Sequence, residues 1–379
     1  MDDEVGWAIG RARELLGDGS AAAERVATAA LEIAAIPAPT FGEAARTRCI
    51  AGLIGGGSVD AAGNLAIEVP GARPGAPVAL VAHMDTVFPA GAPLVVDRDG
   101  TRLRGPGIGD NSVAVAVLIE IALCLGALPC PAGAPILIAF TVAEEGRGDL
   151  AGARALVAAH RPRALLALEG HFLDRMATTA VGSVRFEAVY TGPGGHSWGD
   201  RGTVSANHAA ARAAARVAGL AHGPDGAVSV GVIEGGTSVN TIAARARMEI
   251  DLRATDPAEL DRLEAGARAA MSVGADEEGI VLEVRDIGRR PGGALAAGHP
   301  LARALRGVRA GLGLGEADES ATSTDANAAL GAGVPAAAIG VTRGGGMHTS
   351  GEWVEVAPIR QGLLLTLAST LAIAGHPEG

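Results

Sequence analysis

The stretch Val78-Ala79-Leu80-Val81-Ala82-His83-Met84-Asp85 is an apolar run that ends abruptly in an imidazole and a carboxylate. A short run apolar on both faces reads as a strand covered by helices on both sides. Three other runs share the character: Ile136–Val142, Ala164–Leu168 and Pro335–Val341. Helical patterns at Val113–Leu125 and Ala151–His160 lie between the runs, and another at Glu24–Ala35 precedes the first. Strands alternating with helices predict an α/β fold, a mostly parallel sheet with helices on both faces.

The middle of the chain has a different rhythm. Val184–Tyr190 alternates like a half-exposed strand, and an alanine-rich helical stretch, Ser205–Ala218, follows it. Ala227–Ile233 and Ala244–Leu252 read as a strand pair, and Asp256–Met271 as a helix with Asp256 at N-cap and Pro257 at N1. Gly279–Arg285 alternates once more. This β-α-β-β-α-β order predicts a ferredoxin-like α+β domain over 182–290, inserted into a discontinuous domain formed by 1–181 and 291–379.

The bulk numbers agree with two domains, because 379 residues exceed what one core usually serves. A net charge of −11 argues against a nucleic-acid surface, which needs a basic patch. All the basic side chains are arginine, a compositional bias and not a site signal. Cys49, Cys124 and Cys130 are odd in number and show no metal-type pairing, so they read as buried free thiols in a reducing compartment. The opening Met-Asp-Asp-Glu has no basic region followed by an apolar one, so no signal peptide is expected. Val113–Leu125 and Gly362–Ala374 read as core helices, too short to span a bilayer, and Glu120 also breaks the first. The expectation is a soluble, cytoplasmic protein with neither membrane nor nucleic acid as partner.

In open α/β sheets ligands bind beyond the carboxyl ends of the strands. The first run leads into His83 and Asp85, the second into Glu144-Glu145, the third into Glu169, and the fourth through Gly344-Gly345-Gly346 to His348. A further loop, Gly105-Pro-Gly-Ile-Gly-Asp110-Asn111, precedes a helix. Each residue alone is ordinary: an aspartate before a helix is usually a cap, and paired glutamates are usually a solvated face. Their gathering at one edge of one sheet is what points to chemistry.

His83-Met-Asp85-Thr, Gly109-Asp110-Asn111, Glu144-Glu145-Gly, Glu169 and His348 together resemble the M20 metallopeptidase family in identity, order and spacing. Gly194-Gly195-His196-Ser197-Trp198 and Gly235-Gly236-Thr237-Ser238-Val239-Asn240 look like further signatures of it, and the resemblance runs from about residue 24 to the C-terminus. It implies two divalent ions, one held by His83, Asp110 and Glu169, the other by Asp110, Glu145 and His348, with Asp110 bridging. Two such ions carry four positive charges against three carboxylates, so a bridging hydroxide nucleophile would neutralise the site. Mixed nitrogen and oxygen donors suit zinc, with cobalt or manganese as alternatives.

The resemblance also implies Glu144 as general base and Asp85 as the acceptor that fixes the His83 tautomer. His196 would reach the active site of a partner subunit, making the inserted domain a dimerisation (lid) domain and the protein a homodimer. Asn240 and Arg253 would hold a substrate carboxylate, and Gly346 would let backbone approach the substrate. The expected function is hydrolysis of an amide bond in a small peptide or N-acyl amino acid, as a carboxypeptidase or deacylase. A di- or tripeptide aminopeptidase is the alternative, and an inactive peptide-binding relative is the remaining reading. Ser112-Val113-Ala114 stands where many relatives carry a lysine and glycines. Glu169 stands where tripeptide aminopeptidases tend to have aspartate, whereas Ser323-Thr324-Asp325-Ala326-Asn327 resembles a segment of peptidase-like members.

Overall fold

The computed structural model describes residues 2–377 and divides the chain into two compact units. One comprises the chain up to Ala180 and from Ala294 onward; the other is Val181–Gly293.

The first unit is built on a seven-stranded sheet. Its order is Ser58–Val59, Leu65–Val69, Ile136–Thr141, Val78–His83, Ala164–Glu169, Ala336–Gly340, Met176–Ala177. The four strands expected from the sequence are its parallel centre, and the antiparallel strands lie at its two sides. Strand side chains alternate between faces, and the two cores show it residue by residue. Val78, Leu80 and Ala82 join one core with Ile138, Phe140, Leu166 and Ile339. Ala79 and Val81 join another with Leu137, Ala139, Leu165 and Ala338. Helices Ser20–Ala34, Val113–Gly126 and Ile359–Ala374 supply the first face, and Ala151–His160 and Ala326–Gly331 the second. With few aromatic residues available, alanine, valine and leucine fill these interfaces.

The alternation sets up the site. His83 pairs with Thr141, and it lies two residues beyond Val81, which pairs with Ala167, two residues before Glu169. His83, Thr141 and Glu169 therefore leave their strands level with one another and on the same face.

The helical stretch Ile108–Gly126, at 19 residues, is long and apolar enough to cross a membrane, longer than the Val113–Leu125 expected because it includes the turn at Asp110. It is mostly buried inside the fold, as a core helix is. Helices Asp2–Leu16, Ala44–Ile54 and Pro300–Gly311 were not among the expected elements, although Pro300 at N1 and the buried Leu301, Leu305 and Val308 mark the last one. Cys130 is exposed and Cys49 and Cys124 are only partly buried, against the expectation of buried thiols.

The second unit is a four-stranded antiparallel sheet in the order Gly226–Gly235, Arg245–Ala254, Gly182–Thr191, Val281–Arg290. Helices Ala206–Ala218 and Pro257–Glu278 cover one face. Ala246, Met248, Ile250 and Leu252 point into that core, while Arg247, Glu249, Asp251 and Arg253 lie on the opposite face. Asp256 caps its helix by accepting the Ala258 N–H at 3.0 Å.

Leu80 is fully buried at the centre of the parallel sheet. Leu80→Ala should cost about 2–5 kcal/mol of stability. Urea unfolding of the first unit should show this as a lower midpoint with an unchanged slope.

Candidate metal centre

Asp110 is the hinge of the site. Its backbone is non-helical (φ −113°, ψ 87°), and its side chain makes no capping bond to the helix that follows. The ordinary capping role is therefore set aside. One carboxylate oxygen lies 3.0 Å from Nε2 of His83, and the other 3.0 Å from Nε2 of His348. Nε2 of His348 is also 3.4 Å from a Glu145 oxygen. Ligand atoms of His83, Asp110 and Glu169 lie within 4.8 Å of one another, and so do those of Asp110, Glu145 and His348. Each group offers one imidazole and two carboxylates, with Asp110 common to both. That donor set fits a pair of divalent ions sharing one carboxylate, with room for water or substrate at each.

Glu144 falls in a third such group, with His83 and Glu145. It is buried beside the other two groups and is a member of neither.

Asp85 has a different task from its neighbours. Fully buried, it accepts the Glu144 N–H at 3.0 Å on one oxygen and the Glu145 N–H at 2.9 Å on the other. The second oxygen also accepts from the Thr40 hydroxyl at 2.9 Å. Nδ1 of His83 is 3.1 Å from the Asp85 backbone carbonyl and 3.5 Å from its carboxylate. The carbonyl is thus the nearer partner for the His83 tautomer, and the carboxylate chiefly holds the two glutamates in place.

Charge explains the protonation pattern. Burial works against a charged His83, but hydrogen bonds to Asp110 and Asp85 outweigh it and raise its pKa well above the usual imidazole value. Asp110 and Glu145 push His348 up to about 10. Burial raises Asp110, yet the two histidines overcome it and hold its carboxyl far below the usual range. Burial, reinforced by Asp110, Glu144 and Asp325 against the attraction of His83, lifts Glu169 well above the ordinary glutamate.

The other expected residues are placed as follows. Gly346 adopts φ +74° in an exposed turn, where its carbonyl accepts the Thr349 N–H at 3.1 Å. His196, Asn240 and Arg253 belong to the second unit. Nδ1 of His196 accepts the Trp198 and Gly199 N–H groups at 3.2 and 3.1 Å, which leaves Nε2 as the ring's N–H donor. The Asn240 carbonyl accepts from Ser197, so Asn240 and His196 share one corner, near the Arg245 end of the strand Arg245–Ala254. Arg253 stands at the other end of that strand, with Nε 2.9 Å from Asp251. The eight residue-to-residue steps of extended strand from Arg245 to Arg253 span about 26 Å, so the clamp pair is not brought together on one chain.

Sequence reading missed Thr40, Arg46 and the buried pair His171 and Glu352. Arg46 is fully buried and donates to the Ile36 and Met84 carbonyls at 2.9 Å each, directly behind Asp85. Its bonds are to backbone, which no sequence spacing advertises.

A parallel sheet that gathers two imidazole–carboxylate groups and a further buried glutamate at its carboxyl edge has the arrangement of a metal-dependent hydrolase. The chain belongs to the peptidase family M20/M25/M40, whose family model matches residues 79–370. It is similar in structure to the aminopeptidase PepT of Bacillus cereus, at 22% identity and a TM-score of 0.73 over 93% of this chain and 99% of that one. A tripeptidase of Staphylococcus aureus matches at 20% identity and a TM-score of 0.76, over 93% and 98% of the two chains. A dinuclear metal-binding peptidase of the M20 family from Bacillus subtilis matches at 18% and 0.64, over 93% and 98%. At these identities the likeness establishes the fold. The search of curated proteins gave no match.

In the metal-free protein His348, pushed up to about 10 by Asp110 and Glu145, holds a proton that a cation must displace. Metal uptake should therefore release protons, and affinity should rise as pH increases from 6 toward 8. Titration calorimetry in two buffers of different ionisation enthalpy checks this; identical heats would contradict it.

Proposed function

We propose that this protein hydrolyses an amide bond in a small substrate bearing a free carboxylate, as a carboxypeptidase or an N-acyl-amino-acid deacylase. The observation that carries the reading is the Asp110 carboxylate, with one oxygen toward His83 and the other toward His348, beside the unshared Glu144. His83, Asp110 and Glu169 would hold one divalent ion, and Asp110, Glu145 and His348 the other, zinc being the first choice and cobalt or manganese the alternatives. Such ions, when bound, acidify water and polarise a carbonyl.

The chain's own groups supply the remaining steps. Glu144 accepts the proton of the attacking water and delivers it to the leaving nitrogen. Asp85 holds Glu144 in range through its backbone N–H. His196 offers Nε2–H to the developing oxyanion. Arg253, its Nε engaged by Asp251, would meet the substrate carboxylate with its terminal nitrogens.

The length of the strand Arg245–Ala254 shapes this reading. A substrate of a few residues cannot touch Asn240 and Arg253 of the same chain. The clamp works if Asn240 and His196 act on a second copy's substrate while Arg253 serves another, which makes a homodimer part of the mechanism and the inserted unit its contact and lid. The Gly346 turn would then border the substrate from the His348 side.

The test is a matched panel with protein reconstituted with zinc, cobalt or manganese. One arm holds N-acyl amino acids and N-blocked dipeptides with free carboxylates; the other holds dipeptide amides with free amines. Cleavage should be confined to the first arm, be absent in Glu144→Ala, and fall about a hundred- to a thousand-fold in His196→Ala. Cleavage confined to the second arm would make the protein an aminopeptidase. A protein that takes up metal but cleaves neither arm would be the inactive, peptide-binding relative.

A further inference from the structure

Glu352 is a carboxylate with no exposure to solvent. One oxygen accepts the Asp110 N–H at 2.8 Å and also lies 2.8 Å from Nε2 of His171; the other accepts the Gly107 N–H at 2.7 Å. A carboxylate that takes two backbone N–H groups is acting as an acceptor, so Nε2 of His171 is the donor in their contact. The backbone carbonyl of Glu352 accepts the Gly105 N–H at 2.9 Å. The loop Gly105–Asp110 is thus pinned at its start, middle and end by one residue.

His171 fixes the pair in a second direction. It follows Glu169 by two residues. The loop packs so closely on its ring that a Cβ on Gly109 would lie 2.0 Å from Nε2, and a Cβ on Gly344 2.8 Å from Nδ1. Glu352 itself follows His348 by four residues. The His171–Glu352 pair therefore touches three chain segments, those that carry Asp110, Glu169 and His348.

We infer that Glu352, supported by His171, is a positioning residue that sets the backbone of Asp110 so that its two oxygens can serve two cations at once. The inference rests on the metal-centre reading above. A bridging carboxylate tolerates little displacement, because moving it toward one imidazole moves it away from the other. Glu352 meets none of the proposed ions; it acts through the Asp110 N–H.

Glu352→Gln keeps the shape and changes the chemistry. Its NH2 group must face either the Gly107 N–H or the pair formed by the Asp110 and His171 N–H groups, donor against donor in both orientations. Cation affinity should fall for both equivalents by about 10- to 100-fold, the usual consequence of losing a partner behind a ligand. The measurement is competition for zinc and for manganese against a chromophoric chelator, with melting of the metal-free protein recorded alongside. Leu80→Ala, which weakens the same unit away from the loop, should lower the melting point and leave both affinities unchanged. His171→Phe, which keeps a ring and loses the donor, should weaken both sites in the same direction, and it carries the test if Glu352→Gln does not fold.

Two tight equivalents in the wild type, with both weakened in the variants, is the expected result. Wild-type affinity in Glu352→Gln or in a folded His171→Phe overturns the inference alone. So does an equal loss in Leu80→Ala, which would make the effect one of general stability. A wild-type protein that takes up no cation overturns both this inference and the proposed function.

Discussion

The site crowds carboxylates together, and like charges at short range must be compensated if the chain is to fold around them. Asp85, Asp110, Glu144, Glu145 and Glu169 meet at one sheet edge, with Glu43 and Glu352 buried close behind. The structure compensates them in two ways. Some are satisfied by the chain's own donors: Asp85 by two amides and Thr40, Glu352 by two amides and His171, Glu43 by the Phe41 and Ala143 amides. Arg46 adds a buried positive charge behind Asp85, although burial lowers its own pKa to about 10. The others face histidines or one another. Glu169 shows the deficit most plainly, since its carboxyl is pushed toward the neutral form. Carboxylates met by backbone amides place the loops, and carboxylates facing histidines and each other make up the groups that could hold cations.

This division also decides what could be read from sequence. The parallel centre was legible because a strand buried on both faces needs continuous apolar character, and Val78–Ala82, Ile136–Val142, Ala164–Leu168 and Pro335–Val341 show it. The gathering of His83, Glu144, Glu145 and Glu169 was legible because histidines and acids directly after such runs are otherwise costly. Leu65–Val69 was harder, since its pattern is mixed and its antiparallel pairing is set by a neighbour distant in sequence. Glu352, His171, Thr40 and Arg46 were not legible at all. Arg46 and Glu352 work on backbone C=O and N–H groups, while Thr40 and His171 meet the carboxylates of Asp85 and Glu352 far along the chain, so no residue type or spacing marks their partners. Asp85 falls between: its place near His83 was readable, but its hold on the Glu144 and Glu145 amides needed the fold.

The second unit follows another logic. Its helical face buries alanine, methionine and leucine, while the opposite face bears Arg247 bonded to Glu187 and Glu234, and Arg253 bonded to Asp251. Such half-exposed pairs contribute little stability individually. What the sheet supplies is length. Its long strands set the corner of His196 and Asn240 far from Arg253, and no side chain could close that gap. The unit therefore carries these residues at two separate ends, a property that follows from strand geometry.

Length at one scale and closeness at another both follow from side-chain size. Gly109 and Gly170 let two ligand-bearing loops touch: a Cβ on Gly170 would lie 1.8 Å from the Gly109 carbonyl. Beneath them the helix Val113–Gly126 packs on the sheet almost wholly through alanine, valine, leucine and isoleucine. Bulkier residues would hold the helix, and with it the Asp110 turn, farther from the strand ends. The distance from Asp110 to His83 would grow by the same amount, and a carboxylate cannot bridge what it cannot reach. The aromatic-poor composition, which at first says little beyond the bias of the sequence, is thus compatible with the close packing that a shared carboxylate demands.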